Sequence, residues 1–179
     1  MHARKPPTPL NEASLTAVAL RYVERYSTTR AKLKAYLQRK IRERGWSDET
    51  APDLAVIAER FAERGYVNDA AYALSKSQSL TARGFGKRRV AVALRVAGVG
   101  EDDGEAAVAL ADERAVMAAL RFAERRRLGP FAGEASVDAR ANQRALAAML
   151  RAGHAFDLSR AILALPPGEP IDPDELSAR

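Results

Sequence analysis

The sequence predicts an all-α fold assembled from tandem three-helix units of helix-turn-helix type. Three observations carry that reading. Alanine, leucine and arginine dominate the composition, and these residues are among the strongest helix formers. Period-two alternation is nearly absent, whereas apolar residues recur at i, i+3, i+4 and i+7 along most of the chain. Similar helical patterns also restart at intervals of roughly 50 residues, the mark of a repeated supersecondary unit.

The first helix carries Leu15, Val18, Ala19, Tyr22, Val23 and Tyr26 as one apolar stripe. Ser27 and Thr28 are natural N-caps for a second helix, where Leu33, Leu37 and Ile41 share a face and Gly45 ends it. A third helix follows Asp53, with Leu54, Ile57, Ala58, Phe61 and Ala62 in register and Gly65 as its stop. Trp46 covers the end of the second helix and Tyr66 packs at the end of the third.

The pattern then restarts. Asn68 and Asp69 can cap a helix that runs to about Arg83. Gly84-Phe85-Gly86 breaks the chain, and Lys87 to Ala97 forms the next helix on Val90, Ala93, Leu94 and Ala97. After Gly98-Val99-Gly100, the acidic Glu101-Asp102-Asp103 suits a helix N-terminus and leads into Ala107, Val108 and Ala111. A third cycle follows in Val116, Ala119, Leu120 and Ala123, then Leu146, Met149 and Leu150, then Leu158, Ala161, Ile162 and Leu165.

The cycles overlay. Ser27 to Leu37 aligns with Gly84 to Leu94, setting Leu33 on Val90 and Leu37 on Leu94. Leu94 to Gly98 resembles Leu150 to Gly153 apart from one residue before the glycine. The expected units are 11–66, 67–112 and 113–165, the last with an inserted loop near 128–137. The proline-rich ends, 1–10 and 166–179, are expected to be mobile tails. The alternative is one irregular bundle with chance internal similarity.

Charge and composition exclude several functional classes. The chain of 179 residues has no cysteine, hence no disulfide framework, thiolate metal site or thiol nucleophile. Neither a signal-peptide core nor an apolar run long enough to span a membrane is present, so a cytoplasmic, soluble protein is expected. Lysine and arginine number 29 against 23 acidic residues, a net charge of +6. The excess is concentrated in residues 1–65, which hold 13 basic and 8 acidic side chains. Such a bias attracts phosphate or an acidic protein surface, and it also reads as an ordinary solvated surface.

Three groups of cations are candidate binding residues. Arg83, Lys87, Arg88 and Arg89 surround the Gly84-Phe85-Gly86 break, where free helix amides would meet a phosphate or a carboxylate. Arg30, Lys34, Arg39 and Lys40 lie roughly opposite Leu33, Leu37 and Ile41 and form a basic stripe. Arg125, Arg126 and Arg127 close another helix, where cations oppose the macrodipole. Each group also reads as a tight turn, the wet face of a helix, or dipole compensation.

No P-loop ending, hydrolase elbow or calcium loop is present, and His2 and His154 make no metal cluster. No enzymatic turnover, cofactor or metal is expected.

Two stretches carry a family resemblance. One is Phe61-Ala62-Glu63-Arg64-Gly65-Tyr66-Val67-Asn68-Asp69-Ala70-Ala71-Tyr72-Ala73 with Arg83-Gly84-Phe85-Gly86-Lys87-Arg88-Arg89-Val90. It resembles the centre of the RecX family. The other, Arg126 to Phe131 with Ala148 to Leu158, resembles a RecX branch with a modified third repeat. The resemblance covers about residues 12–165. It implies an elongated, curved array of three-helix repeats that binds the RecA filament on DNA. It further implies inhibition of strand exchange, ATP hydrolysis and co-protease activity. A monomer is expected, with single- or double-stranded DNA as a further partner. Competing readings are a sequence-independent DNA binder and an adaptor for an unrelated acidic protein.

Overall fold

Asn11 starts the first helix with a reciprocal cap: its side chain accepts from the Ser14 amide, while Ser14 Oγ accepts from the Asn11 amide, both at 2.9 Å. This is the beginning of a computed structural model that describes residues 8–134 and 138–177. The expected tail residues 1–7 and 178–179, and loop residues 135–137, lie outside the described residues. Helices α1 (Glu12–Val23), α2 (Arg30–Arg44) and α3 (Leu54–Glu63) are followed by α4 (Asp69–Ala82), α5 (Lys87–Val96) and α6 (Glu101–Glu113). Then come α7 (Ala115–Arg126), a 3-10 turn (Gly129–Phe131), α8 (Ala139–Arg151), α9 (Phe156–Ala164) and α10 (Pro173–Ser177). The described residues contain no β-strand; the one isolated bridge is Leu10 with Trp46. The all-α expectation therefore holds.

The chain divides into two compact units. The first runs through Tyr72 and also takes in Ala97–Gly100; the second holds Ala73–Val96 and everything from Glu101.

In the first unit, Leu10, Leu15, Ala19, Leu33 and Leu37 are fully buried, with Ile57, Ala58 and Phe61 from α3 closing the core. All of these except Leu10, which precedes α1, lie on the face that helical spacing assigns to them. Leu10, placed by sequence in the N-terminal tail, is held by two backbone bonds: its amide to Gly45 O at 2.9 Å and its carbonyl from the Ser47 amide at 2.8 Å. Asp53 caps α3 as expected, accepting from the Ala55 and Val56 amides. The cap of α2 is Thr29, not Ser27 or Thr28. Thr29 Oγ1 accepts from the Lys32 amide at 3.1 Å and donates to Ala97 O at 2.6 Å. A hydroxyl one residue earlier would miss both partners, and Thr28 Oγ1 is buried without a partner among the described residues.

The Ala97 contact shows why a four-residue segment belongs with the first unit. It delivers a carbonyl to the start of α2 and sets Gly98 against Ala31. Gly98 has φ +70°, and a Cβ there would sit 2.3 Å from that of Ala31. Glycine meets both demands at once.

The second unit repeats this junction one cycle later. The Gly86 amide donates to Ala152 O at 2.9 Å, and the Arg88 amide to Gly153 O at 3.2 Å, so Ala152-Gly153 meets the start of α5 as Ala97-Gly98 meets that of α2, where the Thr29 hydroxyl is the donor. Gly86 aligns with Thr29 in the overlay of the two cycles, and it is backbone that replaces the threonine hydroxyl. Around this junction Ala119, Leu120, Phe122, Ala123, Met149 and Ile162 form the core, joined by Leu176 of α10. Leu176 belongs to the C-terminal segment that the sequence places in a tail.

His154 follows Gly153 and is 2% exposed. Its Nε2 lies 3.2 Å from Gly84 O, its ring 5.5 Å from Phe122, and its Nδ1 has no hydrogen-bond partner among the described residues. Burial pushes its pKa below the ordinary value of 6.5, with the Gly84 carbonyl opposing in part.

Two predictions follow from this packing. In Gly86→Ala the new Cβ would lie 2.4 Å from Gly153 O. Backbone cannot yield there, so thermal or urea unfolding should show a loss of about 2–3 kcal/mol. Gly133→Ala, with nothing within 4 Å, should change little by comparison. For His154, the unfolded chain takes up the proton first as pH falls. The stability contribution is therefore complete above about pH 6.5 and is lost below it, at up to about 1.4 kcal/mol per pH unit. Unfolding midpoints measured from pH 8 to 5 should show this slope, and His154→Gln should flatten it.

Candidate functional site

The eleven cations singled out by sequence do not form one site. Within α2 they separate by what surrounds them. Arg30, the first residue of the helix, is built into the fold: its amide donates to Asp69 Oδ1 at 3.0 Å, and its guanidinium reaches Asp69 at 3.5 Å and Glu59 at 3.4 Å. The Asp69 side chain is only 3% exposed, so its charge needs that partner. Asp69 thus joins the start of α4 to the start of α2, while Asn68 caps α4 by accepting from the Ala71 amide. Lys34 is exposed and has no acidic partner among the described residues.

Arg39 and Lys40 meet Glu43, at 3.5 and 2.7 Å. The hydrogen bond from Lys40 holds the Glu43 carboxyl below the usual carboxylate range. Arg39 and Lys40 also lie 5.4 and 5.6 Å from the Tyr36 ring centre. The expected single stripe is therefore corrected: Arg30 serves an internal ion pair, while Arg39 and Lys40 serve a groove.

That groove, between α1 and α2, is a cationic concavity of the first unit. It has a volume of about 690 Å³ and is lined by Arg21, Arg25, Lys32, Arg39, Lys40 and Arg44, with no carboxylate in its lining among the described residues. Its aromatic members are Tyr22, Tyr26 and Tyr36. Tyr22 and Tyr36 stack at 4.0 Å and 11°, and Tyr26 leans on Tyr22 at 5.4 Å. Sequence reasoning placed Tyr22 and Tyr26 on the apolar stripe; Tyr26 is instead 53% exposed. It also passed over Arg21, Arg25, Lys32 and Arg44. A signal was present, because Lys32, Tyr36, Lys40 and Arg44 recur at every fourth residue and so form one row on α2.

In the second unit, Arg83, Lys87, Arg88 and Arg89 are exposed. Arg83 covers the Phe85 ring at 5.4 Å, and Lys87 pairs with Asp112 of α6 at 3.0 Å. Arg88 and Arg89 have no acidic partner among the described residues. The expectation of free amides at this helix start fails for Gly86 and Arg88. Ala152 O and Gly153 O take the Gly86 and Arg88 amides, and those of Arg89 and Val90 turn back to Gly86 O. Two of the amides at this start are thus taken up by a distant segment, and the side chains of Lys87, Arg88 and Arg89 are exposed. Along α5, Arg88 is followed at steps of four by Val92 and Val96, which are 43% and 81% exposed, with Arg95 exposed beside them. Arg125, Arg126 and Arg127 are exposed at the end of α7; Arg126 covers the Phe122 ring at 5.6 Å, and Arg127 takes a left-handed conformation.

Among the described residues no group of three or more histidine, cysteine or acidic residues is placed to hold a metal ion. No helix among them is long and apolar enough to cross a membrane.

These observations define an all-helical protein with open, cationic surfaces. No protein-family model matches the chain. It is 30% identical over 166 residues to Regulatory protein RecX of Myxococcus xanthus, covering 89% of both chains. A second relative, Regulatory protein RecX of Mycobacteroides abscessus, is 38% identical over 95 residues, 52% of this chain and 45% of that protein. The fold matches the crystal structure of RecX from Lactobacillus salivarius with a TM-score of 0.60 at 18% identity, over 84% of this chain and 92% of that one. A crystal structure of regulatory protein RecX matches with a TM-score of 0.58 at 20% identity, over 84% of this chain and 72% of that one. The chain belongs to the RecX family.

The two kinds of cation on α2 separate in a stability measurement. Arg30→Ala leaves the Asp69 carboxylate without its guanidinium and should cost about 1–3 kcal/mol in urea unfolding. Lys34→Ala should stay within about 0.5 kcal/mol of the parent.

Proposed function

We propose that this protein binds the RecA filament on DNA and restrains its ATP hydrolysis, strand exchange and co-protease activity. It does so as a cytoplasmic monomer with no turnover of its own. Membership of the RecX family carries this reading. The three-helix units 11–66, 67–112 and 113–165 are the repeats on which it is organised.

The α5 face of the second unit is the surface we assign to the filament. Arg88 and Arg89 are free of acidic partners among the described residues, and Val92 and Val96 stand out beside them. Exposed apolar side chains rimmed by arginines suit a protein partner that offers carboxylates around an apolar patch. Lys87 adds charge at little cost, since its pairing with Asp112 is exposed and weak. A ligand that ties neighbouring filament subunits together slows their nucleotide cycle; one that covers a filament end stops growth. The same face serves either geometry.

ATP hydrolysis by the cognate RecA on single-stranded DNA, titrated with this protein at two salt concentrations, tests the reading. Hydrolysis should fall at substoichiometric protein and stay low when DNA is in excess. Charge reversal of Lys87, Arg88 and Arg89 together should raise the inhibitory concentration about tenfold, equivalent to about 1.4 kcal/mol. The unfolding midpoint should be kept. Unchanged inhibition by the folded variant would place the contact elsewhere, and no effect of the parent protein would reject RecA regulation.

A further inference from the structure

The outer face of α5 in the second unit and a groove of the first unit are complementary in charge, and both expose apolar side chains. Along α5, Arg88, Val92, Arg95 and Val96 fall at i, i+4, i+7 and i+8 and form one stripe, with Arg89 beside it. The opposite face, Val90 and Leu94, is buried. Val96 is 81% exposed, and Arg88, Arg89 and Arg95 have no acidic partner among the described residues. Exposed valines flanked by unpaired arginines mark an interaction surface.

The groove lies between the start of α1, the 46–53 turn and α3, and has a volume of about 710 Å³. Its carboxylates are Glu12, Asp48, Glu49 and Asp53. Its one cation among the described residues is Arg60, 4.0 Å from Glu12. Trp46, Pro52 and Val56 supply apolar surface, and Val56 is 53% exposed. The Trp46 ring nitrogen donates to Thr50 O at 2.9 Å and so closes the turn around Asp48 and Glu49. Asp48 accepts from the Glu12 amide and Asp53 from the Ala55 and Val56 amides, bonds that leave both charges in place. An acidic concavity in a chain of net charge +6 attracts a basic partner.

The chain itself supplies that partner. A helix with valines and arginines on one face suits a groove with apolar side chains and carboxylates. The α5 stripe spans eight residue steps, about 12 Å of helix. We propose that α5 of one copy docks into the α1–α3 groove of a second copy, joining copies head to tail. Each copy in such a pair keeps one unused half, so assembly continues as an open chain or closes as a ring. The contact forms without RecA. Its consequence for regulation rests on the function proposed above: α5 is covered in the assembly, so the single copy is the acting form and the assembly a reserve.

The experiment is sedimentation equilibrium of the full chain, without RecA or DNA, from about 1 μM to about 1 mM at low and high salt. The weight-average mass should rise with concentration above that of one chain, and rise less at high salt. Arg88→Glu with Arg95→Glu removes the helix half, and Glu49→Lys with Val56→Lys removes the groove half. Each double variant alone should weaken association at least about tenfold. An equimolar mixture of the two should associate again, because one keeps the groove and the other keeps α5. All four positions are exposed, so the unfolding midpoints should hold and serve as the folding control.

A parent protein that keeps the mass of one chain at every concentration overturns the proposal. If it then binds a labelled oligoarginine, the groove receives a basic segment of another protein instead. Undiminished association by either double variant alone also overturns it, since that half would then play no part. So does a mixture no more associated than its two components. RecA regulation is read separately, from ATP hydrolysis, and stands or falls apart from these results.

Discussion

The structure depends on how the first turn of a helix in one cycle is closed by backbone from the next. A helix leaves its first amides without intrahelical partners, and burying them unpaired is costly. At α2, Thr29 caps the turn and gives its hydroxyl hydrogen to Ala97 O. At α5, the Gly86 and Arg88 amides donate directly to Ala152 O and Gly153 O. Both junctions end in Ala-Gly, and in both a side chain at the glycine would overlap the helix start. Local helix formation and longer-range association are thereby coupled, because the group that finishes one helix belongs to a segment far along the chain.

That coupling also takes up amides that would otherwise face outward. The start of α5, preceded by glycines and followed by three cations, has the local composition of a phosphate site. Its Gly86 and Arg88 amides are already committed to carbonyls of Ala152 and Gly153, while its three cations are exposed side chains. Between α1 and α2 no glycine-rich signature exists. There, two helices pack on Leu15, Ala19, Leu33 and Leu37 and thereby align the outward residues of each into a trough of cations and tyrosines.

Not all charge is available to a partner. Arg30 answers a buried carboxylate, Lys87 an exposed one, and Arg83 and Arg126 lie over rings. Arg88, Arg89, Arg25 and Lys34 have no such commitment among the described residues, and functional contacts are expected from that group.

Much of the fold was legible in the linear pattern. Helical spacing placed Leu15, Leu33, Leu37, Ile57, Phe61, Val90, Leu94, Met149 and Ile162 on buried faces, because burial of an apolar stripe is a property of each helix by itself. Glycines and short polar residues marked the helix ends for the same local reason, within one or two residues at Thr29. Three matters were decided only by tertiary structure. Leu10 and Leu176 are buried because partners distant in sequence receive them, although their prolines read as tail. Arg30 is structural because Asp69 and Glu59 converge on it from other helices. Tyr26 is exposed because α1 ends at Val23, before the apolar stripe that includes it runs out. The sequence by itself determines which face of each helix is apolar, since that depends on neighbours three and four residues away. Which charges are spent and which remain free depends on groups brought together across the fold, and only the packed structure sets those distances.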